Sequence, residues 1–177
     1  MMTVAAIRLN LLTPTAPILP GRGFYQLEEE SLFVQVGTFS KNHRFFSFLE
    51  SRDVRFDFDK QGRLIFIEVE IPRRQWQIEP LLSPPRPDAV ADIRWLNFRD
   101  TMPQPEIRTN DNKSILRLSF GHCGKLTSYY VSQSVIVQLD QDGSLGNLWI
   151  TDITDDIAGQ EISAFRRQIR AEHSYYS

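Results

Sequence analysis

The chain writes one pattern twice. Residues 54–70 read VRFDFDKQGRLIFIEVE and residues 135–151 read VIVQLDQDGSLGNLWIT. Each copy is an apolar alternation, then D-x-x-G, then a second apolar alternation. In the first, Val54, Phe56 and Phe58 flank Arg55 and Asp57, the period of two of a half-buried strand. In DKQG the central positions suit a type I turn. Gly62 then supplies the left-handed backbone of a G1 bulge, which other residues adopt only at a cost. After the turn, Ile65, Ile67, Val69 and Ile71 alternate against Leu64, Phe66, Glu68 and Glu70. The pattern predicts a β-hairpin in each copy, with a buried and an outward face.

The copies align at a shift of 81 residues, with Val135, Val137, Leu139, Asp140, Gly143, Leu148 and Ile150 on the positions of Val54, Phe56, Phe58, Asp59, Gly62, Ile67 and Val69. Outward positions drift: Gln138 stands at Asp57 and Trp149 at Glu68. Upstream the match continues at a shift of 84, setting Leu32, Val34 and Val36 against Leu116, Leu118 and Phe120, Lys41 against Lys125, and Phe45–Phe46 against Tyr129–Tyr130. The change of shift puts the missing residues of the second copy near Phe48 to Glu50. The segments AIRLNLL and DIRWLNF form a weaker pair further upstream.

Between the copies, Pro72, Pro80, Pro84, Pro85 and Pro87 deny the chain a central strand or a continuous helix. This reads as a stiff, extended connector; PPRP as a ligand for an aromatic groove is the sharper alternative. After the second copy the period changes. Ala158, Ile162, Phe165 and Ile169 make the stripe of an amphipathic helix, with Asp155 or Asp156 at its cap and Arg166, Arg167 and Arg170 toward its end. That helix is expected across a sheet face or along a sheet edge. The expected organisation is a first β unit over 1–71, a Pro-rich connector over 72–91, a second β unit over 92–153, and a C-terminal helix and tail over 154–177. A lone unit of about 60 residues buries too little surface to be secure, and its sheet has open edges and an apolar face. The expected fold is therefore mainly β (α+β): two similar antiparallel units packed as one pseudo-two-fold sandwich or open barrel, with one C-terminal helix.

The strand SLFVQV and the hairpin SRDVRFDFDKQGRLIFIEVE resemble a bacterial domain family of unknown function. Its short, single-unit β members open with a D-x-L-Y-I-type strand and close with a V-D-Y-D-x-x-G-x-I-x-G-I-E-I-type hairpin. Asp57, Asp59, Gly62, Arg63, Leu64, Ile67 and Glu68 sit on that pattern. Phe66 departs from it, where the family favours glycine. The second copy keeps Asp140, Gly143 and Leu145 and loses the acidic residue after the turn. The resemblance implies two diverged units in one chain; it implies a fold and transfers no catalytic residue.

Apolar residues make up 41% of the 177 and charged residues 24%, enough for a core, and the net charge of −2 leaves no basic footprint for nucleic acid. The single cysteine, Cys123, cannot form an intramolecular disulfide. The start of the chain lacks a basic n-region, and no stretch of about 18 apolar residues exists. These features lead us to expect a cytoplasmic protein without membrane contact.

Chemistry-bearing patterns are sparse. DFDKQGRLIFIE places Asp57, Asp59, Gln61, Gly62 and Glu68 at calcium-loop positions, but strands, not helices, flank it. Cys123 beside His122 points to the opposite face of a strand, so the two cannot act as a dyad. His43 and His173 have no ligand spacing, and zinc is not expected. RRQW with Arg94 and Trp95 mixes basic and aromatic residues as a single-strand binder would, against the overall charge. No catalytic residue, metal or cofactor is expected. Tyr129, Tyr130, Trp149 and Phe66 are read as outward aromatics that would form a contact patch if clustered. The expected function is a non-enzymatic binding or protein-interaction module, as a homodimer or with a protein partner. The alternative is a small-molecule-binding protein or small enzyme with a pocket at the seam between units.

Overall fold

The computed structural model describes residues 6–14, 17–37, 44–122 and 124–171, with side chains described through Arg167. Cys123, His43, His173, Lys41 and the side chains of Ile169 and Arg170 lie outside the described residues. The first half contributes β1 (Asn10–Leu12), β2 (Gly21–Gln26), β3 (Ser31–Val36), β4 (Ser47–Glu50), β5 (Val54–Phe58), β6 (Leu64–Val69) and β7 (Gln77–Ile78). The second contributes β8 (Ala89–Val90), β9 (Asp92–Arg94), β10 (Asp100–Thr101), β11 (Glu106–Thr109), β12 (Leu116–Ser119), β13 (Thr127–Ser132), β14 (Val135–Leu139), β15 (Leu145–Ile150) and β16 (Thr154–Asp155). Helix α1 (Gln160–Ala171) closes the chain. The protein is mainly β with one short C-terminal helix, and its sheets are open.

One sheet runs β10-β4-β5-β6-β3-β2-β16 and the other β8-β13-β14-β15-β12-β11-β7; β1 and β9 pair as a separate ribbon. Side chains from the inner faces of both sheets, including Leu32, Val34, Phe56, Ile67, Leu116, Leu118, Val137 and Leu148, belong to one buried cluster. This shared core makes the architecture a sandwich.

The ladders of the two sheets correspond. Leu32 faces Val69 as Leu116 faces Ile150, and Phe56 faces Ile67 as Val137 faces Leu148. Both hairpins carry a second irregularity one turn beyond the glycine, at Ile65 and at Gly146. Ile65 therefore leaves the face of Ile67 and Val69: it packs with Phe66 on the outer face, while Leu64 joins the inner core. One part of the expected alignment shifts. Ser47 faces Phe58 and Thr127 faces Leu139, so Leu49, not Phe45, is the counterpart of Tyr129. The length difference between the copies falls in the connection before β4 and β13, because Phe48 to Glu50 are strand.

The halves exchange segments. Strand β7 follows the first hairpin yet edges the second sheet, and β16 follows the second hairpin yet edges the first. The two I-R-L/W segments also correspond: Trp95 N donates to Gly62 O, and Leu9 N donates to Gly143 O. Each arm thus seals the turn of the other half's hairpin. Both turn glycines need their freedom, with φ of 82° and 81° and with an arm carbonyl 2.6 and 2.7 Å from where a Cβ would stand.

Coverage of the outer faces follows from these crossings. Strands β7 and β8 lie on opposite edges of the second sheet, six strand spacings or about 29 Å apart. The eleven residue steps between Ile78 and Ala89 reach about 34 Å as polyproline II but only about 16 Å as helix. After a turn at Pro80–Leu81, the prolines hold the rest of the connector in the extended form that can make this span. On the way it buries Leu82 against Ile136 and Trp149 on the outer face. On the first sheet, α1 plays the corresponding part. Asp156 caps it, accepting from Glu161 N at 2.6 Å and Ile162 N at 3.1 Å. The helix starts later than its apolar stripe suggests: Ala158 is exposed, with φ of 56°, and stands before it. Arg166 pairs with Glu29, not with the helix end.

Candidate functional site

Strand alternation sends Arg55 and Asp57 of β5, and Glu68 of β6, to the outer face of the first sheet. Arg55 stands opposite Glu68, and Asp57 opposite Phe66; Glu50 of β4 stands opposite Arg55. Above them, α1 places Ile162 among Phe24, Phe33, Phe45 and Phe66. Phe165 stacks on Phe66 with centroids 4.5 Å apart and planes 7° from parallel. A cleft of about 320 Å³ is lined by Phe45, Phe66 and Phe165 together with Glu50, Asp57 and Glu68.

The electrostatics of this cleft are unusual for so small a domain. The Asp57 side chain is only 4% exposed. Its Oδ1 accepts from Arg55 Nε at 3.0 Å, and the same guanidinium lies 3.5 Å from Glu50 and 4.2 Å over the Phe48 ring. Burial raises the Asp57 carboxyl to about 6; Arg55 opposes this by charge and hydrogen bond, and Glu50 adds to it. Glu68 is pushed up to about 7, first by burial, then by the charge and hydrogen bonding of Glu70 and by the charge of Asp57, with the Arg55 charge opposing. Among the described residues Glu68 has no ion-pair partner within 4 Å. A half-buried carboxyl of this kind meets its needs by keeping a proton.

The four residues read as a contact patch occupy three places. Phe66 is 3% exposed and forms the wall of the cleft. Trp149 is 5% exposed on the other sheet's outer face; its Nε1 donates to Gln138 Oε1 at 2.8 Å, and the Arg117 guanidinium lies 5.6 Å from its ring. Tyr130 packs against the Trp149 cluster, whereas Tyr129 packs against the inter-sheet core. Neither Trp149 nor Phe66 is an open contact surface, because connector and helix lie over the two outer faces.

The remaining motifs are structural. In the D-x-x-G turn, Asp59 Oδ1 accepts from the backbone N–H of Gln61 and Arg63, and Oδ2 from Arg63 Nε; its oxygens are spent on the turn. No group of three or more His, Cys, Asp or Glu able to hold a metal occurs among the described residues. Trp76 and Trp95 are core side chains, so RRQW and Arg94–Trp95 present no stacking platform. A seam cavity of about 210 Å³ does exist, bordered by Leu19, Val36, Leu64, Val131, Asp92 and Arg94. Its polar groups satisfy each other: Arg94 Nε and Nη2 donate to the two Asp92 oxygens at 2.9 and 2.8 Å. Among the described residues no helix is long and apolar enough to cross a membrane.

The chain matches no known family model and no curated protein. The site therefore rests on its own geometry. Sequence reasoning had Asp57 and Glu68 in hand only as loop and family positions. The signal for the cleft is the outward carboxylates of FDFD and IEVE on the two facing strands of one hairpin. The second copy has Gln138 and Asn147 on that face, and no acidic counterpart.

Proposed function

We propose that this protein is a non-enzymatic binding module whose ligand sits in the cleft between α1 and the outer face of the first sheet. The observation that carries the reading is Glu68, a half-buried carboxyl without an ion-pair partner, beside a stacked aromatic wall. Pockets with an apolar wall and a few convergent polar groups of displaced pKa are where small ligands or partner side chains bind. Catalysis is the second reading: carboxyls raised to about 6 and 7 also lie in the range that acid–base work uses.

We also read the matching ladders as two diverged copies of one ancestral unit, in line with the resemblance of residues 54–70 to the bacterial hairpin family, and the protein as soluble and cytoplasmic. Self-association finds less support. The outermost strands β7, β8, β10 and β16 are two residues each, a device that discourages edge pairing. Amide chemical-shift mapping of the labelled protein against a fragment library tests the site. Hits should perturb residues 50–57, 66–70 and 162–166; hits confined to the seam around Leu19 and Arg94, or no hits, would remove this reading.

A further inference from the structure

Resting on that reading, we propose that the occupant of the cleft is an organic cation, a guanidinium, amidinium or primary ammonium carried on a flat or aliphatic apolar body. The charges that face the cleft decide its sign. Glu50 comes from β4, Arg52 and Asp53 from the following turn, Arg55 and Asp57 from β5, Glu68 from β6, Glu70 from just after it, and Arg166 from α1. The three guanidiniums are committed: Arg52 to Asp53, Arg55 to Glu50 and Asp57, and Arg166 to Glu29. Glu68 and Glu70 have no cation within 4 Å among the described residues. Burial and the neighbouring charge of Glu70 raise the Glu68 carboxyl.

A second, independent group points the same way. Asp57 has a side chain 4% exposed, yet only its Oδ1 is engaged, by Arg55. Its Oδ2 accepts no hydrogen bond among the described residues and is open to solvent, so a donor entering the cleft can reach it. Guanidinium and ammonium groups bring several N–H donors with their charge, and so can serve Asp57 and Glu68 together. The phenylalanines of the lining suit the rest of such a ligand, because aromatic rings attract cations and bury apolar atoms. An anion would meet five carboxylates. A bare divalent metal would need a convergent oxygen cage, which the described residues do not form.

The cation takes the place of a proton, so binding should release protons and strengthen as pH rises from 6 to 8. The test titrates the intact protein with benzamidine and with phenethylamine, and with neutral benzamide and anionic benzoate as shape controls. Calorimetry and amide shifts at pH 6 and pH 8 are the readouts. We expect both cations to perturb residues 50–57, 66–70 and 162–166 and to bind about tenfold more tightly at pH 8, as titration of one carboxyl near 7 requires. Glu68→Gln, at a half-buried position that tolerates an isostere, should abolish most of that pH dependence. Asp57→Asn is the second variant and should weaken both cations without changing benzamide. If benzamide or benzoate binds the cleft as tightly as the cations, the charge assignment is wrong and the cleft reading stands. If neither cation binds while the fragment screen finds other occupants there, the charge assignment is again overturned. If nothing binds the cleft, both readings fall together.

Discussion

Replacing Asp57 by asparagine isolates the cost of ionising a carboxyl beneath α1. Asp57 titrates near 3.8 when unperturbed and at about 6 in the fold. A carboxyl raised by folding holds its proton more tightly in the native state. Its contribution is fully present below the unfolded value and is lost as pH rises through the folded one. The shift is roughly two units, and at ~1.4 kcal/mol per unit the loss comes to about 3 kcal/mol between pH 4 and pH 8. Asparagine cannot ionise, and its carbonyl can still accept from Arg55. The variant should therefore nearly match wild type at pH 4 and gain on it steadily, ending more stable by up to about 3 kcal/mol at pH 8. Urea unfolding of both proteins at half-unit pH steps measures the difference directly, and subtracting the curves removes titrations common to both. Glu68 is coupled to Asp57 by charge, so the change spreads over a wider pH range, with its sign unchanged. A stability difference that stays constant from pH 4 to 8, or that moves in favour of wild type as pH rises, would refute the assignment of burial as the dominant cause.

Phe165→Ala removes the ring stacked on Phe66 and should cost about 2 kcal/mol, less than a fully buried aromatic; hydrogen exchange should show α1 opening before the sheets. Gly62→Ala asks for a Cβ 2.6 Å from Trp95 O at a φ of 82°; a loss above about 2 kcal/mol in chemical denaturation is expected, exceeding the ~1–2 kcal/mol of the left-handed backbone alone. Leu82→Ala should cost about 2–3 kcal/mol through the Ile136–Trp149 cluster, and amide exchange should then rise first at Leu82 and Ala89. Deleting two residues from that stretch shortens a span with only a few ångströms to spare and should prevent β7 and β8 from pairing together, read as a loss of cooperative thermal unfolding.

The local half of this structure was legible because it is governed by neighbours in the chain. Alternation placed Val54, Phe56, Val135 and Val137 inside, D-x-x-G named the turns with Gly62 and Gly143 at positive φ, and Asp156 was among the expected caps. The doublets Phe45–Phe46 and Tyr129–Tyr130 look alike in sequence, yet the ladder sets Tyr129 with Leu49, because register is decided by backbone pairing and turn length. The outward faces of Trp149 and Phe66 were equally clear from alternation, but alternation does not say what lies above them.

Sequence alone therefore determined which residues turn, which alternate, where the helix is capped and which segment must stay extended. Those properties depend on φ preferences, side-chain period and proline chemistry within a few residues. Tertiary structure decided the rest: that each half lends an edge strand and an arm to the other, that a connector covers Trp149 while a helix covers Phe66, and that Asp57 and Glu68 meet in a cleft that holds their protons to about 6 and 7. Those outcomes come from desolvation and from contacts between residues far apart in the chain, as between Phe66 and Phe165, which no local spacing encodes.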